Sequence, residues 1–154
     1  MSELTWPPGL TPARGRIYTF HELTVDRPPE AVWAQLVDAN RWPDWFDNCR
    51  DMRIEGNDRL AQGAVFRWIA FGVRVRCMVD RWEPGRLLAW TGTGIGSRGH
   101  HQWLLRPAAN GGTHVVSEEV MAGLLPVAVR AWLRPALLRS NQRWLNGLAA
   151  PPAS

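Results

Sequence analysis

The residues of this sequence that combine best into something chemically competent are His101, in one run of alternating residues, and Glu119 with Ser117 in the next. An imidazole titrates near ~6.5, and a carboxylate beside it fixes its tautomer and raises its basicity, which suits general acid–base work. The same pair can equally be a buried, mutually satisfied hydrogen-bonded couple. Both readings stay open on sequence. Other chemistries are set aside more firmly. His100 and His101 are adjacent, so on a strand their rings point to opposite faces and cannot share a metal. Cys49 and Cys77 stand in no CxxC or Cys/His spacing and read as free thiols. No nucleophile elbow or P-loop is present, and Gly92-Thr93-Gly94-Ile95-Gly96 falls between strands rather than before a helix. No metal and no cofactor is therefore expected.

The elements that must position these residues follow from periodicity. Residues 16–25 are β-branched and aromatic and read as a strand. Pro28-Pro29 opens a short helix with Val32, Trp33, Leu36 and Val37 at helical spacing, and residues 40–46 make a further helical turn. From 50 to 121 the pattern is period two, giving strands at 50–55, 64–71, 73–82, 86–92, 98–106 and 113–121. The links between them are short and rich in Gly, Asn and Pro, so successive strands form antiparallel hairpins. Residues 126–148 return to helical spacing, with Val127, Ala131, Leu138, Leu145 and Leu148 near one face and a kink expected at Pro135. The expected organisation is an irregular lead-in (1–15), one ligand-binding domain (16–148) and a short tail (149–154). A curved seven-stranded antiparallel sheet cannot be filled by one long helix, so an α+β fold of this kind leaves a hollow between the two.

Composition bounds the rest. A chain of 154 residues with 45% apolar content and 10 tryptophans builds a core without metal or disulfide staples. All 18 basic residues are Arg against 14 acids, a formal charge of +4, with a pI near 10.4. The arginines are dispersed along the chain and interleaved with acids, which argues against a specific nucleic-acid footprint. No apolar stretch approaches the ~18 residues of a transmembrane segment, and no basic head precedes an apolar run near Met1, so a cytoplasmic location is expected.

Turn positions set the pairing, and a slip of one residue would reverse every face. A turn at Phe71-Gly72 pairs Trp68 with Val75 and Phe66 with Cys77, placing apolar residues inward and Arg67, Arg74, Arg76 and Asp80 outward. The next hairpins set Val79 near Trp90, Arg81 near Leu88, Trp90 near His101, Leu88 near Trp103, Trp103 near Val115, and His101 near Ser117. For 113–121 and 16–25 alternation alone does not choose a face: Tyr18, Phe20 and Glu22 compete with His21 and Leu23.

Val25-Asp26-Arg27-Pro28-Pro29-Glu30-Ala31-Val32-Trp33, followed by Trp42-Pro43-Asp44-Trp45, resembles the opening of the START-like (SRPBCC) superfamily, in particular its polyketide cyclase/dehydrase branch. Trp82-Glu83-Pro84-Gly85-Arg86-Leu87-Leu88-Ala89-Trp90, His101-Gln102-Trp103-Leu104-Leu105, and Gly112-Thr113 leading through Glu119 to Gly123 extend the resemblance over residues 16–148. It implies a helix-grip fold, a sheet wrapped around the C-terminal helix with an internal pocket, and an inward acidic residue at Glu119. On that face Ser117 and Met121 also point inward.

The expected pocket is Phe66, Trp68, Val79, Trp90, Trp103 and Met121, with Arg81, His101, Ser117 and Glu119 as its polar groups. Each tryptophan also reads as plain core, and Arg81 as a surface or rim cation. The resemblance implies a hydrophobic, polycyclic or polyketide-like ligand. Two functions fit: a cofactor-independent cyclase, aromatase or dehydratase using His101, Glu119 and Ser117, or a carrier that only binds. A protein-interaction module, as in the superfamily's co-chaperone or toxin-like members, would have a filled core. The arginine and tryptophan content of 128–144, Trp132 and Trp144 included, reads as a solvated helix back or as a partner or anionic-membrane surface. Oligomeric state is left open, a homodimer included.

Overall fold

In the computed structural model, residues 4–12 and 17–151 are described. Seven strands form a single antiparallel sheet: β1 (Ile17–Val25), β2 (Arg50–Ile54), β3 (Val65–Ala70), β4 (Val73–Glu83), β5 (Leu87–Gly94), β6 (Ser97–Pro107) and β7 (Thr113–Ala122). Their spatial order is β1-β7-β6-β5-β4-β3-β2, so β1 crosses the fold to pair with β7 and every other neighbour is a hairpin. Between β1 and β2 lie α1 (Pro29–Val37), a 3-10 turn (Ala39–Arg41) and α2 (Trp42–Trp45). Pro29 and Pro43 sit in the first turns of α1 and α2, where a missing amide donor is harmless. After β7 come α3 (Leu124–Ala128) and the long α4 (Arg130–Ala149).

The sheet grips α4. Trp144, 1% exposed, meets Trp68 on β3, Trp90 on β5 and Trp103 on β6. It also stacks on Phe46 just after α2, with centroids 4.3 Å apart and planes 12° off parallel. One turn earlier, Asn141 donates to Thr19 on β1 and to Glu119 on β7. Two neighbouring positions of one helix thus reach five strands, which is the curled α+β helix-grip architecture.

Three expectations about this scaffold need correction. The terminal helix is not continuous: the chain breaks at Val129, and Pro135 is accommodated within α4. The break resets the helical phase, so the buried stripe is Leu133, Leu137, Asn141, Trp144 and Leu148 rather than one drawn through Val127 and Ala131. Trp144 accordingly belongs to the core and not to a surface stripe. Second, β7 is displaced by two residues along β6, with Trp103 opposite Ser117 and His101 opposite Glu119. A two-residue shift keeps every side chain on its face. Third, a bulge between Val79 and Arg81 changes the β4–β5 pairing: Val79 still faces Trp90, but Arg81 now faces Ala89 and Trp82 takes the place opposite Leu88.

On β1 the inward set is Ile17, Thr19, His21 and Leu23, in register with Met121, Glu119, Ser117 and Val115 of β7. The sheet's other face is covered in part by the segment before β1. Leu4 packs with Leu87, Leu104 and Val116, and Trp6 sets its ring edge-on to Tyr18 and His100.

Candidate functional site

A cavity of about 260 Å³ lies between the sheet and the start of α4. It exists because three of the four inward positions of β5 and β6 at this end are glycine, the fourth being Ser97. Gly92, Gly94 and Gly99 all line it, and Gly92 and Gly99 are paired directly across the ladder. Glycine inside a strand weakens the strand and marks a close approach of another group. A Cβ on Gly92 would lie 2.8 Å from Cys77 Sγ, whereas one on Gly99 would meet only ordinary contacts at 3.5 Å and beyond. Trp68, Trp90 and Trp144 form an indole wall, and α3 with the first turns of α4 supplies Leu125, Pro126, Val129, Trp132 and Leu133.

The mouth is closed on one side by an aromatic pair. Phe71 and Trp132 approach edge-to-face at 6.0 Å. Phe71 occupies the first position of the two-residue β3–β4 turn, with φ 49° at Phe71 and 77° at Gly72. That is a primed turn, and a bulky residue tolerates its left-handed backbone only where the surroundings hold it. Here Asn48 Oδ1 accepts the Phe71 amide at 2.9 Å, while Asn48 Nδ2 donates to Ser140 on α4.

At the inner end stand the polar groups. His101 is boxed by rings: it stacks on Trp103, tilts against Trp90 and meets Trp144 edge-on. Its Nε2 is hydrogen-bonded to Ser117 Oγ at 2.8 Å. Its Nδ1 stops 3.8 Å from Glu119 Oε2, outside hydrogen-bonding distance. Burial among the rings drives the His101 pKa well below its ordinary value, with the neighbouring His100 and His21 acting in the same direction. The imidazole is therefore neutral, and the expectation that Glu119 raises its basicity is corrected: desolvation outweighs the carboxylate. Burial pushes Glu119 up to about 7, opposed by the hydrogen bond from Asn141. The acid–base group poised near neutrality is the carboxyl, not the imidazole.

Of the residues singled out from sequence, Trp68, Trp90, His101, Glu119 and Met121 line the cavity. Phe66, Val79 and Trp103 point inward but are fully packed, around Trp42 at the filled end of the sheet. Ser117 is buried behind His101 and reaches the cavity only through it. Arg81 is outside altogether: the bulge turns it to the other face, 3.8 Å from Glu83. Among the described residues no arginine lines the cavity, and the chain has no lysine.

Sequence reading missed Asn141, Asn48, Ser140 and the three glycines. Asn141 had a visible signal, being the polar member of the stripe Leu137, Asn141, Trp144, Leu148. Gly94 was hidden by ending its strand at 92, when β5 runs on to Gly94, whereas Gly92 and Gly99 already lay inside the expected strands and gave no side-chain signal.

A sequence profile of the family described as "Polyketide cyclase / dehydrase and lipid transport" matches residues 20–150. The chain belongs to this family. Within the polyketide cyclase/dehydrase family, the granaticin polyketide synthase bifunctional cyclase/dehydratase of Streptomyces violaceoruber is 30% identical over 142 residues. The match takes in 84% of this chain but 42% of that protein, so the chain spans less than half the length of this relative. Among solved structures, a hypothetical protein of Helicobacter pylori superimposes with a TM-score of 0.89 at 23% identity, covering 99% of this chain and 98% of that one. The Zhui aromatase/cyclase of a Streptomyces species superimposes with a TM-score of 0.73 at 20% identity, covering 86% and 90%. At those identities the likeness is one of fold. Among the described residues, no helix is long and apolar enough to cross a membrane.

Proposed function

We propose that this chain binds an uncharged, hydrophobic, ring-forming small molecule of polyketide type in the glycine-floored cavity and acts on it as a cofactor-independent cyclase or dehydratase. The observation that carries the reading is a carboxyl group with a pKa raised to about 7, Glu119, beside His101 at the inner end of a mostly apolar hollow. No described lining residue is an arginine, which favours a neutral guest over a free acid, because none of those side chains would compensate a buried ligand carboxylate.

Protonated Glu119 is suited to donate to a ligand carbonyl oxygen. In an aldol closure the enolisable carbon then attacks that carbonyl carbon, a carbon–carbon bond forms, and the proton lost from the attacking carbon returns to the Glu119 carboxylate. Atoms balance and the carboxyl is regenerated. Neutral His101, held by Ser117, supplies a fixed polar wall beside it, and the indoles hold the chain folded for closure. The cyclase/dehydratase relative supports this class of reaction.

The test compares His101→Ala and Glu119→Gln with the parent protein, for affinity and for turnover of a short poly-β-ketone. Intact binding with lost turnover in Glu119→Gln is expected. Unchanged product formation in that variant would remove the carboxyl from the mechanism and leave a carrier.

A further inference from the structure

The rim of the cavity has a composition that the ligand site does not explain. Leu124 is 86% exposed, Ile95 79% and Trp132 59%, the most exposed of the large hydrophobic residues. They are brought together by the fold: the Leu125 amide donates to Gly96 O at 3.0 Å, seating the start of α3 on the β5–β6 turn. Trp132 and Leu125 both line the cavity wall. Isolated exposed apolar residues are ordinary, but a contiguous group around an opening marks an interaction surface.

The charge around this patch is one-sided. Three segments frame the mouth: 69–76, 91–100 and 120–139. They contain no Asp or Glu, and they carry Arg74, Arg98, Arg130, Arg134 and Arg139, more than the chain's whole formal excess of +4, with Arg76 further along β4, 3.9 Å from Glu55. All six are exposed. The dispersal seen along the sequence becomes a collar when the turns and helices converge.

We propose that the cavity mouth docks on an anionic lipid bilayer, with Leu124, Ile95 and Trp132 entering the headgroup boundary and the arginine collar resting on the lipid phosphates. A Trp at the edge of an aliphatic patch ringed by basic residues is the chemistry of an interfacial anchor. A bilayer is favoured over an acidic protein because the apolar patch is continuous with a mostly apolar cavity, Trp132 lining it and Leu124 adjoining the lining residue Leu125, so a hydrophobic guest moves from membrane to cavity without crossing water. The inference stands on the rim and not on what fills the cavity.

The test is co-sedimentation of ligand-free protein with vesicles of phosphatidylcholine alone or with phosphatidylglycerol added, alongside retention on immobilised polyglutamate. Binding to the anionic vesicles is expected, weakened by salt and reduced on the order of tenfold in Leu124→Asp and in Ile95→Asp, since each removes a large aliphatic group from the buried patch. Arg130→Ser with Arg134→Ser should lower it further, while Phe20→Asp, an exposed apolar residue on β1 away from the mouth, should leave it unchanged. Equal binding to neutral vesicles, binding indifferent to Leu124→Asp and Ile95→Asp, or retention on polyglutamate without vesicle binding would overturn the proposal. Ligand affinity in solution, measured separately, is unaffected by any of these outcomes.

Discussion

His101 lies directly opposite Glu119 across the β6–β7 ladder, yet the two do not hydrogen-bond: the imidazole is engaged by Ser117, and the carboxyl by Asn141 from α4. Each side chain is held by a different partner at a separation of 3.8 Å. Burial then acts on both in the same sense, against charge, lowering the histidine and raising the acid. The result is an uncharged imidazole beside a carboxyl that titrates at about 7, at the end of a mostly apolar cavity.

That neutrality has a signature in stability against pH. Glu119 binds a proton in the folded state up to about pH 7 and loses it near its ordinary 4.5 when unfolded. Its contribution is fully present below pH 4.5 and is lost as pH rises to 7, by up to ~1.4 kcal/mol per pH unit. His101, with its folded pKa depressed, contributes the opposite slope below 6.5. Denaturant unfolding of the parent protein and of Glu119→Gln should therefore diverge with rising pH between 4.5 and 7 and run parallel above it. A difference that does not change with pH would show that Glu119 titrates normally.

Asn141 is the group that keeps Glu119 from rising further. In Asn141→Leu the carboxyl loses the donor that Asn141 supplies, and its titration should move above 7. Carboxyl-carbon NMR of labelled glutamate follows this directly. A titration point that stays put or falls would remove Asn141 from the role of positioning residue.

Trp144 should be among the costliest core positions. It contacts the rings of Trp42, Phe46, Trp68, Trp90, His101 and Trp103. Trp144→Ala is expected to destabilise by ~3–5 kcal/mol in urea unfolding. A loss under ~1 kcal/mol would mean that the aromatic cluster is loosely packed.

Arg81→Ala gives the opposite expectation. The side chain is on the far face of the sheet in a partly exposed pair with Glu83, worth under ~1 kcal/mol. Isothermal titration should find ligand affinity unchanged. A large loss of affinity would place Arg81 back inside and contradict the bulge.

These contrasts mark where sequence reading succeeded. Phe71-Gly72 is a two-residue primed turn, so it fixed the β3–β4 register to the residue, and the β5–β6 pairing of Trp90 with His101 followed from turn chemistry in the same way. Arg81 failed because a bulge inserts one residue at a place where alternation still looks regular. The face of β7 survived a two-residue register error because its period is two. Trp144 was misplaced because helical phase was carried across Val129, where the backbone breaks. The glycine floor was missed because a missing side chain gives no periodic signal, only the residue pairing of Gly92 with Gly99.

The glycine floor opens a space that a neutral guest enters, and one substitution tests this directly. Gly99→Leu adds a side chain whose Cβ meets only ordinary contacts and whose remaining atoms project into the cavity. Tryptophan fluorescence should show a naphthol binding to the parent protein, a naphthoate binding far more weakly, and neither binding to Gly99→Leu, which stays folded by circular dichroism. A folded Gly99→Leu that takes up the naphthol as tightly as the parent would contradict it.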